Sequence, residues 1–288
     1  MNNVKTVFLL AALSALLVYV GSAFGGRQGA TVALGLAAVM NIGAYWFSDR
    51  MILARYGAKP VTEAEAPELY GIAAELAQRD GMPMPRVYVI PSESPNAFAT
   101  GRSPQHAAIA ATAGILRILD RDELRAVLAH ELSHVKHRDT LISSVAATLA
   151  GAVTWLASMA RWGVLLGGAR DSNDRGSNPL ALLVVSVFAG LGATLIQLAV
   201  SRSREFEADA GGARLVGDGE QLARALAKLD AAAQAVPMEA SPATAHLFIV
   251  NPLAGGEGGA ASLFARMFRT HPPTAERIAR LRDRSWAR

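Results

Sequence analysis

The sequence predicts a mainly α membrane protein with a small β-sheet: four transmembrane helices, with water-facing segments between and after them. Three observations carry this. Hydrophobic residues make up 51% of the 288 and mean hydropathy is positive, which is too apolar for an ordinary soluble domain of this length. Four runs without charge, Thr6 to Phe24, Ala30 to Phe47, Leu141 to Ala160 and Pro179 to Val200, are each about as long as a helix that crosses a bilayer. Two long polar regions, 49–140 and 201–288, hold nearly all the charge. The expected organisation is an N-terminal transmembrane hairpin (1–48), a first polar part (49–140), a second hairpin (141–200) and a second polar part (201–288).

The first run has the length of a signal peptide, but a second long run follows it after the Gly-rich turn "GSAFGGRQGA". That favours a retained hairpin. For runs three and four the competing reading is a buried hydrophobic hairpin of a soluble domain. Flanking charges set the orientation. Lys5, Arg50, Arg55, Lys59, Lys136, Arg138, Arg202 and Arg204 all fall on one side if four spans alternate. The other side receives Arg27 and the loop "GGARDSNDRGSNP", where Asp171 and Asp174 offset Arg170 and Arg175, while Arg161 runs against the trend. Both termini and the polar parts are therefore expected in the cytoplasm.

The formal charge is +4 and the pI about 9.7. No basic stripe interleaves with aromatics, so the excess matches a cytoplasmic membrane face and not a nucleic-acid partner. The chain has no cysteine. This excludes disulfides and thiolate metal sites and leaves His, Asp and Glu as metal ligands.

In the first polar part, "VTEAEAPELYGIAAELAQRDG" reads as an amphipathic helix stopping at Gly81. "PRVYVI" and "HAAIAAT" read as short strands, with "SESPNAFATGRSPQ" as turns and an extended piece between them. A strong helix begins at Asp120, which can cap it, with Glu123 in the capping-box position. The second polar part predicts helices over 203–216 and 219–235, a loose Gly-rich stretch "VNPLAGGEGGAASLF", and a last helix from about Pro273 through "TAERIARLRDR".

The helix from Asp120 carries "LAHELSHVKHRD". His130 and His134 are four apart and share a face. With Glu131 between them they make the HExxH pattern, in which two imidazoles bind zinc and the glutamate is the general base. His137 is a poor third ligand, because along a straight helix it stands about 10 Å from the level of His130. The better source is "SRSREFEADAGGARL" after run four. Glu205 and Asp209 share one face with the small residues Ala208 and Gly212, and Glu207 points elsewhere. The pattern therefore assigns Glu205 as third ligand and Asp209 as the acceptor for a ligand histidine's N–H. Two His, one Glu and an open fourth position make a catalytic type of zinc site.

Four stretches, "LAHELSHVKHRD", "SRSREFEADAGGA", "NAFATG" and "HPPTAERIARL", together with the four spans, resemble in order and over essentially the whole chain the HtpX-type membrane zinc metalloproteases. These are relatives of the eukaryotic CAAX prenyl endoprotease. The resemblance implies a gluzincin-like cytoplasmic metalloprotease domain in a bacterial inner membrane, acting on membrane or misfolded proteins in stress-linked quality control. It implies one zinc on His130, His134 and Glu205, with Glu131 as the catalytic residue, and protein or peptide substrates.

Two further residues are candidates. Asn96, in "PNAFATG", would contact an extended substrate paired along an edge strand; the competing reading is a turn asparagine after Pro95. His271, held by Pro272 and Pro273 ahead of the last helix, would stabilise the oxyanion; the competing reading is a helix cap. Two rival functions differ in class. An intramembrane zinc protease would carry its motif inside an apolar span, whereas this one is flanked by Arg121, Asp122, Glu123, Arg125, Lys136 and Arg138. A non-catalytic metal-binding scaffold or transporter subunit would show charged or histidine side chains within its spans, and the four runs have none.

Overall fold

The computed structural model describes residues 2–151, 202–235, 244, 247–249 and 272–287. They form helices around a small mixed sheet: α1 (Asn2–Arg55), β1 (Lys59–Pro60), α2 (Pro67–Arg79), β2 (Arg86–Ile90), β3 (Ala97–Thr100), β4 (Ala108–Thr112), α3 (Ala113–Ile118), α4 (Arg121–Lys136), α5 (Arg202–Val216), α6 (Glu220–Ala235) and α7 (Thr274–Arg282). Residues 139–151 are also helical. Most of runs three and four (152–200), the Gly-rich stretch from Val250 and His271 lie outside the described residues.

Runs one and two join in α1, which folds back on itself. A straight helix of that length would hold Ser14 and Asn41 about 40 Å apart, yet Asn41 Nδ2 donates to Ser14 Oγ at 2.8 Å. The reversal falls at Gly26, whose φ of +54° suits a residue without Cβ. The two arms approach at Gly21 and Gly29, where a Cβ on either glycine would strike the other's backbone. The hairpin is thus observed, with a helical bend in place of the expected open turn. Its surface is apolar and bare: Val32 and Val39 are about 70% exposed and Ile42 59%. Among the described helices, Gly26–Arg55 is the one long and apolar enough to cross a membrane.

The amphipathic helix is shorter than its pattern. It starts at Pro67, because the residue before a proline is pushed out of helical conformation and because Glu65 Oε2 accepts from both the amide and the hydroxyl of Thr62, holding a turn upstream. Leu69, Ile72, Ala73, Leu76 and Ala77 then line its buried face, and the chain turns at Gly81, φ +65°. The capping box at Asp120 forms as expected: Asp120 Oδ1 accepts from the Glu123 amide at 2.9 Å and Glu123 Oε2 from the Asp120 amide at 3.0 Å.

The sheet has four strands where two were expected, in the order β1-β2-β4-β3. The "extended piece" is β3, antiparallel to β4, and the short β1 adds to β2. β2 and β4 run parallel. β4, "AIAAT", is buried throughout, so alternation divides it between two cores. Ile109 and Ala111, with Ala97, Ala99 and Val87, face α2 and α4. Ala108 and Ala110, with Phe98 and Ile90, face Ile52 and Leu53 at the end of α1 and Ala147 of the 139–151 helix. The sheet therefore separates a side against α2 and α4 from a side against the end of α1 and the 139–151 helix. β3 is its edge next to α4.

Candidate metal centre

α4 and α5 cross with almost no side chain between them. A Cβ on Gly212 would lie 2.8 Å from the His130 amide nitrogen and 3.0 Å from its Cα, and Ala208 is fully packed at 1% exposure. The two small residues noted in the sequence let the carboxylate helix reach the histidine helix. One ligand atom each from His130, His134 and Glu205 then lie within 4.8 Å of one another, a group that could hold a metal ion. Glu205 Oε1 is 3.4 Å from His134 Nε2, and Oε2 is 4.0 Å from His130 Nε2. Ligands bound tetrahedrally at about 2.0–2.2 Å would stand about 3.3–3.6 Å apart, and the two Glu205 contacts are already near that spacing. Glu207 is exposed and away from the cluster. His137 caps α4, its Nδ1 2.8 Å from the Ser133 carbonyl.

The far nitrogen of each histidine meets an aspartate. His130 Nδ1 lies 2.9 Å from Asp209 Oδ1, and His134 Nδ1 lies 3.0 Å from Asp139 Oδ2. Each contact favours the tautomer with a proton on Nδ1, which turns the Nε2 lone pair toward the shared centre. Each aspartate in turn holds an arginine. Arg277 grips Asp209 with two parallel bonds, Nε to Oδ2 at 2.9 Å and Nη2 to Oδ1 at 2.7 Å. Arg204 reaches Asp139 at 3.1 Å.

Charge is concentrated here out of water. Burial works against a charged His134, yet the Asp139 and Glu205 carboxylates outweigh it and raise its pKa to about 10. Burial lowers the His130 pKa, and Asp209 only partly opposes this. Burial would push Asp209 up, but the Arg277 charge and hydrogen bonds, with His130, hold it at about 2. Glu131 is raised to about 7, chiefly by burial with the Glu205 charge adding, against the pull of His134, the Ala99 amide and Arg277. Its Oε2 accepts from the Ala99 amide at 2.8 Å, which fixes the carboxylate beside the β3 edge.

A family profile described as Peptidase family M48 matches residues 63–285. The chain belongs to peptidase family M48. It is 56% identical over 285 residues to a protein named "Protease HtpX homolog" from Syntrophobacter fumaroxidans, covering 98% of this chain and 99% of that one. A protein of the same name from Thermodesulfovibrio yellowstonii is 54% identical over 281 residues, covering 98% of each. Among solved structures, that of Ste24p from S. mikatae superposes with a TM-score of 0.52 at 20% identity, covering 97% of this chain. The chain spans 65% of that longer protein, and the likeness is one of fold. Family membership and the close relatives make this M48 protein a metalloprotease, and its bare apolar α1 hairpin makes it a membrane-bound one.

Asn96 heads β3 with 1% exposure, and its Oδ1 accepts from the neighbouring Ala97 amide at 3.1 Å. His271 lies outside the described residues. Sequence reasoning missed four participants, one of them Arg204, read there only as a flanking charge. Asp139 ends the quoted "LAHELSHVKHRD". The Ala99 amide is a backbone group. Arg277 stands in "HPPTAERIARL" on the same helix face as Leu281, both buried at 2% exposure. A charged residue on the apolar face of a short helix was the available signal, since burying arginine requires a partner of equal commitment.

Proposed function

We propose that the protein is a zinc-dependent endopeptidase with one zinc per chain, held by His130, His134 and Glu205. It crosses the inner membrane of a bacterium four times and cleaves membrane or misfolded proteins on the cytoplasmic side, in protein quality control. The observation that carries the catalytic reading is the buried Glu131 carboxylate, fixed to the β3 edge beside a two-histidine, one-glutamate cluster. The flanking arginines and lysines support the orientation, and the relatives' printed name supports the proteolytic role.

Zinc, when bound, would polarise the scissile carbonyl and make water acidic enough to attack it near neutral pH. Glu131 takes a proton from the attacking water and delivers it to the leaving amine nitrogen. A carboxyl poised near neutrality suits both transfers, and a metal ion held beside it would bias it toward the ionised base. Asp209 and Asp139 hold the two imidazoles in the tautomer and direction the metal needs. β3 is an edge strand, so an extended substrate adds to it in β fashion, with the Asn96 side chain as a further contact. His271 supplies a second hydrogen-bond donor to the developing oxyanion.

Glu131→Gln is the test. The purified variant should keep its zinc and thermal stability and lose cleavage of casein in detergent by several orders of magnitude. Zinc retained with near wild-type cleavage would remove Glu131 from the mechanism.

A further inference from the structure

The β3 edge that would receive a substrate already carries a partner from the same chain. In the antiparallel β3–β4 pair, Asn96, Phe98 and Thr100 turn their backbone groups toward β4, and the Asn96 carbonyl accepts from the Thr112 amide at 2.9 Å. Ala97 and Ala99 therefore turn theirs outward. The outward Ala99 amide is taken by Glu131. The outward Ala97 carbonyl accepts from the Ile249 amide at 3.3 Å. Residues 247–249 thus lie on the open side of the edge strand, two residues along it from the general base's anchor.

This strap is fastened at both ends. The Ile249 carbonyl accepts from Arg277 Nη1 at 2.9 Å, the same guanidinium that grips Asp209. Phe248 is fully buried, edge-on to Phe98 (ring centroids 5.3 Å apart) and to Tyr56 (5.0 Å). Tyr56 in turn hydrogen-bonds Thr244. Side chains of a strand added to β3 alternate between the two faces of the sheet. One points to the α4 side, and the next points to the face where Phe248 packs on Phe98 among Ile52, Leu53 and Ala147. A substrate in β register thus needs both the Ala97 carbonyl and the apolar space that Phe248 fills.

We infer that the 247–249 strap is an autoinhibitory occupant of the substrate edge, and that an extended peptide displaces it by taking the Ala97 carbonyl and seating a bulky apolar side chain in place of Phe248. The inference rests on the reading of β3 as the substrate strand. An outward carbonyl directed along one edge serves one strand at a time, so strap and substrate exclude each other there. Displacement also frees the Ile249 carbonyl from Arg277, so the strap's release reaches the group that positions Asp209. The device favours substrates already extended and apolar, the character of an unfolded membrane segment.

Two measurements on the full chain in detergent test this. The first uses Ile249→Pro, which deletes the amide that competes for Ala97 and leaves the carbonyl. With an internally quenched peptide that the wild type cleaves, KM should fall by about two- to tenfold, the worth of one hydrogen bond, at unchanged kcat and zinc content, with a lower melting temperature because the Ile249 side chain is buried. An unchanged or higher KM in a folded, zinc-loaded variant overturns the inference, because a strap that builds the groove would give that result. The second does not depend on how the proline variant folds. Hydrogen exchange is followed in Glu131→Gln with and without saturating peptide. Faster exchange at Ile249 together with altered protection at Ala99 supports displacement. Altered protection at Ala99 with Ile249 unchanged or slowed overturns the strap and leaves the substrate strand standing. No change at either amide overturns both.

Discussion

The two sides of the metal centre are built to the same plan at different depths. On one side His130, Asp209 and Arg277 are almost fully buried, with side chains 1%, 5% and 2% exposed. On the other His134, Asp139 and Arg204 stand at 15%, 9% and 11%. The deep side uses a bidentate guanidinium with a further bond to the Ile249 carbonyl. The shallow side uses a single 3.1 Å contact. The elements differ as well. Arg277 comes from α7, the last helix, while Asp139 opens the helix that runs into the third apolar run and Arg204 follows the fourth. The lesson is that the deep side is a fixed support, and the shallow side ties the site to the residues flanking the third and fourth apolar runs.

The largest expected effect is on the deep side. Arg277→Met keeps the volume but leaves Asp209 buried without its cation. Breaking a buried pair in this way costs about 3–5 kcal/mol, so chemical denaturation should show a loss of that order, with weaker zinc retention. The pH dependence should change with it. The Asp209 carboxyl is held at about 2, below its ordinary 3.8. It therefore contributes stability that is full above about pH 4 and is lost as pH falls from there to 2. The variant should lack that acid-range loss. A stability within 1 kcal/mol of wild type would show that the depth of this side does not translate into support.

Next come the two aspartates. Asn at either position keeps the shape and removes the charge that fixes the imidazole. Such changes typically weaken metal binding by about 10- to 100-fold. Asp209→Asn should fall at the upper end, because it also leaves Arg277 buried without its counter-charge. Asp139→Asn should fall at the lower end, since water reaches that side and can replace the lost acceptor. Competition with a fluorescent zinc chelator measures both. The reverse order would break the comparison.

Much of this centre was legible because helix geometry is local. Spacing alone put His130 and His134 on one face and Glu205, Ala208, Asp209 and Gly212 on another, and the capping box named the start of α4. The hairpin of α1 was legible from its length, its apolarity and its glycines. What could not be read was whatever depends on long-range pairing. β3 is four residues without a strong strand pattern, and it becomes a strand because β4 offers it an edge. Arg277 meets Asp209 across 68 residues, and no periodicity reports such a partner. The start of α2 was misjudged because the apolar rhythm was followed past a proline whose effect on its predecessor is itself local.

The smallest expected effect is at Arg204, and it decides what the shallow side is for. The guanidinium touches Asp139 once, and its Nη2 has no hydrogen-bond partner among the described residues. Replacing it with methionine therefore removes one charged bond and also one poorly satisfied buried donor, so the two costs partly cancel. Global stability should drop by about 1 kcal/mol or less, and zinc affinity by less than about tenfold. Asp139 would still accept from His134, so the ligand stays oriented. What is lost is the tie between the residue after the fourth apolar run and the residue that opens the helix leading into the third. Turnover should then fall more than zinc affinity, because a ligand that is bound but less rigidly placed costs transition-state alignment before it costs occupancy. Measuring kcat at saturating zinc beside the zinc affinity separates the two. Equal losses in both would reduce Arg204 to an ordinary support for His134, and a loss of stability matching Arg277→Met would erase the distinction between the deep and shallow sides.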